Sequence, residues 1–118
     1  MPNRRGFDSF YGYLGAYIDY WDYTLFMMDR NYSRGYDLRE NGNTVRIPEK
    51  KYATELFTEE AVKVINTHNV SKPLFLVVNH LAPHAGNQDD PMQAKQEDID
   101  KFNYIPDIKR RTLAGKAL

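Results

Sequence analysis

The chain has 118 residues, 16 Lys plus Arg against 16 Asp plus Glu, and no cysteine. That length suits one domain or part of a larger one. The even charge balance argues against a nucleic-acid partner, which favours a basic surplus, and the lack of thiols excludes a disulfide scaffold, a thiolate metal site or a cysteine nucleophile within these residues.

Residues 7–26 are crowded with Tyr, Phe and Trp and punctuated by Gly12 and Gly15, just after Gly6. The rings follow neither a helical nor a strand period. The segment is expected to turn often and pack its aromatics into a local core, with a ligand-stacking wall as the alternative. In "YDLRENGNTVRI", Asn41-Gly42 separates the runs Tyr36 to Glu40 and Asn43 to Ile47. Asn-Gly favours a type I′ turn, because both central residues need positive φ, so a β-hairpin is expected.

"TELFTEEAVKVINTH" at 54–68 predicts a helix, with Phe57, Ala61, Val64, Ile65 and His68 on one face. Thr54 or Thr58 is placed to cap its start, Glu55, Glu59 and Glu60 favour the positive end of its dipole, and His68 suits its C-terminal end. Pro73 then opens "PLFLVVNHL", whose continuous apolar run predicts a strand covered on both faces, as in a parallel sheet, with Val77 and Val78 buried. Its apolar core, Leu74 to Val78, is far too short to cross a bilayer, so no membrane span is expected. Pro83 ends the strand, and "HAGNQDDPMQAKQ" reads as a loop. Glu97 to Phe102 reads as a short helix, and Arg110 to Leu118 as the opening of another that stops before a cap, which suggests a truncated sequence. Nothing in Met1-Pro2-Asn3-Arg4-Arg5-Gly6 resembles the apolar stretch of a secretory leader.

Two histidines, His80 and His84, flank the end of the apolar strand. Active sites of open α/β sheets gather beyond the carboxyl ends of strands. A histidine at position 84 is therefore placed to donate a proton or bind an anion, with a loop histidine bonded to backbone or water as the plain alternative. His80, His84, Asp89 and Asp90 carry the donor types of a zinc-like site, but Pro83 prevents the helix that would align the two rings. The usual phosphate-cradle and serine-hydrolase motifs are missing.

Four ordered blocks then carry a resemblance: "RRGFDSFYGYLGAYIDYWDY" at 4–23, "KYATELFTEEAVKVI" at 51–65, "KPLFLVVNHLAPH" at 72–84 and "KFNYIPDIKRRTLAGK" at 101–116. Together they resemble an internal segment of arylsulfatase B-like members of the sulfatase family. The resemblance implies an α/β fold, part of an alkaline-phosphatase/sulfatase-like three-layer architecture with a mainly parallel sheet. Residues 1–118 would then be an internal segment of the catalytic domain, incomplete at both ends.

It further implies hydrolysis of sulfate esters, such as an aryl sulfate or the N-acetylgalactosamine 4-sulfate of sulfated glycans. The family's cofactors are calcium and a formylglycine nucleophile made in a C/S-x-P-x-R motif, neither of them held by residues of this chain. By register along the strand the resemblance assigns His84, and not His80, to approach the sulfate and protonate the leaving oxygen. The chain alone is accordingly expected to be inactive. A degenerate, non-catalytic form that binds sulfated glycans or a protein partner is the alternative, and an unrelated zinc-binding domain a third. A lysosomal or secreted location follows from the same resemblance, and makes Asn31 and Asn69, in Asn31-Tyr32-Ser33 and Asn69-Val70-Ser71, the N-glycosylation candidates.

Overall fold

The aromatic-rich segment folds back on itself and supplies Ile18, Tyr20 and Tyr23 to the core. In the computed structural model, which describes residues 1–26 and 33–118, a 3₁₀ turn at Pro2–Arg4 precedes β1 (Tyr11–Gly12), β2 (Thr24–Phe26), β3 (Arg34–Tyr36), β4 (Arg39–Glu40) and β5 (Asn43–Thr44). The helices α1 (Ala53–Thr67), α2 (Gln96–Asp100) and α3 (Ile108–Lys116) follow. The strands form one sheet in the order β1-β4-β5 and a separate β2-β3 pair. Among the described residues every strand pairing is antiparallel. The architecture is thus mixed α/β with small antiparallel sheets.

The Asn41-Gly42 hairpin forms as its turn chemistry demands. Asn41 has φ 50° and Gly42 φ 98°, and Glu40 pairs with Asn43 across the turn. Ile18, Tyr20, Tyr23, Leu38, Tyr52, Ala53, Leu56, Phe57 and Leu81 make one buried cluster, with Tyr11, Tyr13 and Trp21 packed against it. The rings of Tyr20 and Tyr52 stack at 5.3 Å, and Phe57 meets those of Tyr11 and Tyr13. Local core packing is therefore the role of Tyr11, Tyr13, Tyr20, Trp21 and Tyr23, whereas Phe7 and Tyr17 stay exposed.

Helix α1 departs from the sequence expectation at its start and along its face. Its N-cap is Tyr52, which makes no side-chain cap, and Thr58 instead donates its hydroxyl back to Thr54 O at 2.7 Å. A side-chain cap is unnecessary for the first amide, because Ala53 N donates to Tyr20 O at 2.8 Å. Only Ala53, Leu56 and Phe57 are buried. Ile65 is 55% exposed, since no described element covers the second half of the helix. At the far end His68 takes the C-cap position as expected, and its Nε2 donates to Lys72 O at 2.7 Å.

The segment at 73–80 is the main correction. Its apolar run predicts a strand buried on both faces, yet every one of these residues is exposed, Val77 at 48% and Val78 at 43%. The segment forms no strand and belongs to no ladder. An apolar strand is buried only where neighbouring strands and covering helices meet it, and here the Phe75 ring meets that of Phe7, centroids 6.0 Å apart and planes tilted by 31°, while Phe75 stays 79% exposed. The radius of gyration, 16.2 Å, exceeds the roughly 13–14 Å of a compact domain this long.

The short predicted helices are both present, each starting earlier than expected. Helix α3 begins after Asp107, whose carboxylate accepts the amides of Lys109 at 2.8 Å and Arg110 at 3.2 Å. It packs on α2 at a glycine: a Cβ on Gly115 would stand 2.8 Å from Ile99 N and 2.9 Å from Asp98 C.

Candidate functional site

Beyond residue 80 the chain enters a reversal containing the cis Ala82–Pro83 peptide, closed by a bond from His84 N to Leu81 O at 2.9 Å. Leu81 is buried in the core while His84 is exposed. Among the described residues the His84 ring makes no hydrogen bond or ion pair, so both ring nitrogens are free to meet a ligand. Its main chain, in contrast, is firmly held. The His84 carbonyl accepts the Tyr20 hydroxyl at 2.7 Å and the Lys116 ammonium at 2.7 Å.

The loop that follows is anchored through a buried polar network. Asp19 Oδ1 accepts the amides of Trp21 and Asp22, each at 2.8 Å. Its Oδ2 accepts Asn87 Nδ2 at 3.1 Å and Gln93 Nε2 at 2.6 Å. Gln93 Oε1 in turn accepts the Tyr20 amide at 2.7 Å, and Gly86 N donates to Pro91 O at 2.9 Å. Burial pushes the Asp19 carboxyl up, but the bonds from Gln93, Asp22 and Trp21 with the charge of Arg34 outweigh it and hold the group below the usual carboxylate range. Buried polar atoms paired this fully make a rigid base for an exposed loop.

Beside this base lies an open cleft of about 490 Å³, lined by Trp21, Asp22, Arg34, Lys50, Asp89 and Asp90 among others. Arg34 pairs with Asp22 at 3.1 Å and Asp89 at 3.6 Å. The four donors His80, His84, Asp89 and Asp90 do not converge: among the described residues no group of three or more His, Cys, Asp or Glu stands where it could hold a metal ion. The zinc alternative thus has no assembled site here, and the described residues do not fit a resident calcium. Asn69 is exposed and its side chain accepts Ser71 N at 3.0 Å. Asn31 lies outside the described residues. No helix is long and apolar enough to cross a membrane, among the described residues.

Sequence reasoning singled out His84 as a candidate but missed the residues that hold its backbone. Lys116, Tyr20, Asp19, Asn87 and Gln93 carry no motif, and their separations in sequence hide their meeting. The one available signal was Asp19 between Ile18 and Tyr20, a carboxylate flanked by apolar residues that must be paired if buried.

Comparison with known proteins bears on the family and the fold. The family described as Sulfatase matches residues 1–111. Arylsulfatase J of Mus musculus is 36% identical over 116 residues, covering 98% of this chain and 18% of that protein. The solved structure of Ps i-CgsB superposes with a TM-score of 0.77 at 32% identity, covering 98% of this chain and 26% of that one. The chain therefore spans less than a third of either relative.

Proposed function

Because the chain belongs to the sulfatase family, we propose that residues 1–118 are an internal segment of the catalytic domain of a sulfuric ester hydrolase, and that His84 is its general acid. The observation that carries this reading is the His84 ring itself, exposed and unpartnered among the described residues, on a loop whose backbone is fixed at the His84 carbonyl. In the proposed step an oxygen nucleophile supplied by the rest of the catalytic domain bonds to sulfur as the bond from sulfur to the ester oxygen breaks. The departing oxygen takes a proton from the His84 imidazolium, which is left neutral as the alcohol forms.

The substrate we propose is of the arylsulfatase B type: a sulfated glycan such as one bearing N-acetylgalactosamine 4-sulfate, or an aryl sulfate. The family generally uses calcium and formylglycine. With no cysteine in the chain and no metal-holding group among the described residues, neither is assigned to this segment. The isolated chain is accordingly proposed to be inactive. The exposed apolar run at 73–80 supports a further part of the reading, that this segment becomes a strand of a mainly parallel sheet inside a three-layer domain. The location proposed is lysosomal or secreted. The test there is a glycosidase-sensitive mass shift at Asn69 that Asn69→Gln abolishes, and a bare Asn69 in the secreted protein counts against it.

The decisive experiment is His84→Ala in the full-length protein. General acid catalysis matters most when the leaving oxygen is basic, so kcat on an alkyl or glycosyl sulfate should fall by about 100–10,000-fold, and far less on para-nitrophenyl sulfate. An equal loss on both esters removes His84 from the acid role. The non-catalytic alternative wins if the full-length wild-type protein binds sulfated glycan and turns over neither ester.

A further inference from the structure

We propose that Lys116 is a positioning residue for His84, holding the main chain of the proposed acid so that its ring meets the leaving oxygen. The inference rests on the general-acid reading of His84 given above.

Lys116 is 1% exposed, which is unusual, since lysine is almost never fully buried without a partner. Its ammonium has three donors. One reaches His84 O at 2.7 Å and another Pro91 O at 3.0 Å, and the charge sits over the Tyr20 ring, 4.4 Å from the centroid. Burial pushes its pKa below the usual lysine value, opposed by the nearby Asp90. No carboxylate forms an ion pair with it among the described residues.

The physical question is why a cation stands here at all. Methionine would fill similar space in the last turn of α3 without the desolvation cost of the charge. The C-terminal end of the helix favours a cation, but an exposed lysine would collect that benefit as well. What the ammonium adds, and methionine would not, is a grip on two carbonyls that bracket the loop from His84 to Pro91. Tyr20 donates to the same His84 carbonyl at 2.7 Å, so both lone pairs of that oxygen are engaged. The backbone of the residue that must aim a proton is thereby clamped between α3 and the buried aromatic core.

The test is a leaving-group comparison in the full-length protein. Lys116→Met should lower kcat on an alkyl sulfate by about 10–100-fold and on para-nitrophenyl sulfate by less than about threefold, the loss expected from misplacing a reacting group by an ångström or less. In the His84→Ala background Lys116→Met should add no further leaving-group selectivity. If Lys116→Met does not fold, Tyr20→Phe removes the other bond to the same carbonyl and should show the same selectivity. Equal loss on the two esters, while His84→Ala stays selective, overturns the positioning role and leaves the acid reading standing. If His84→Ala is itself unselective, the acid reading fails and the positioning role falls with it.

Discussion

Gln93 Nε2 donates to the Asp19 carboxylate at 2.6 Å across 74 positions of sequence. The same side chain accepts the Tyr20 amide through its oxygen, so one amide group joins the aromatic core to the loop that carries His84. Replacing it with an apolar residue orphans the buried Tyr20 amide and leaves Asp19 Oδ2 with only its bond from Asn87. Gln93→Leu should cost about 1–3 kcal/mol, seen as a lower urea midpoint with an unchanged slope. An unmoved midpoint would show that the network adds nothing to stability. The acid limb follows from Asp19, whose folded pKa lies below the usual range. That contribution is complete above the unfolded value, about 3.9, and is lost as pH falls through the folded one. Asp19→Asn should be less stable than wild type at neutral pH, with the gap closing as the solution is acidified.

At the alkaline end the tyrosines decide. Burial pushes Tyr11 and Tyr52 up to about 12 and raises Tyr20 and Tyr23 as well. A raised folded pKa gives stability that is full below the unfolded value, about 10, and lost as pH rises through the folded one. Lys116, whose value is lowered, works in the opposite sense, and the tyrosines outnumber it. Absorbance at 295 nm should therefore show some of the nine tyrosines ionising above pH 10 only together with loss of near-ultraviolet dichroism. All nine titrating near pH 10 with that signal intact would contradict the buried core.

Gly115 is required by contact and not by φ. A Cβ there would lie 2.8 Å from Ile99 N, and backbone cannot move aside as a flexible side chain can. Gly115→Ala gains helix propensity of about 1 kcal/mol, yet should still destabilise the protein by about 1–3 kcal/mol through overpacking. Thermal melting reads the sign, and a raised midpoint would mean that α2 and α3 separate without cost.

The exposed run at 73–80 makes a prediction about context. In the 118-residue chain its amides belong to no ladder and should exchange with solvent at nearly unprotected rates, with the apolar edge promoting self-association. In the full-length protein the same amides should be among the most protected. Equal exchange in both settings would contradict the proposal that this segment completes a larger sheet.

The amino-acid sequence by itself determined the local features of this protein. The Asn41-Gly42 turn, the helix at Ala53–Thr67 and the cap-like place of His68 all follow from short-range chemistry, which acts over a few residues whatever surrounds them. So did the singling out of His84, because a histidine just beyond an apolar strand needs no tertiary knowledge to notice. Burial was the property that sequence could not determine. Val77 reads as core and stands exposed, and Ile65 lies on the expected apolar face yet is 55% exposed, since burial belongs to the elements that meet a residue and not to the residue. Lys116 shows the converse: no motif marks it in the sequence, and only the tertiary structure brings it over the Tyr20 ring and onto the carbonyl of His84. Contacts across 32 and 74 positions leave no periodic trace in the chain, and they are what turns an exposed histidine into one held in place.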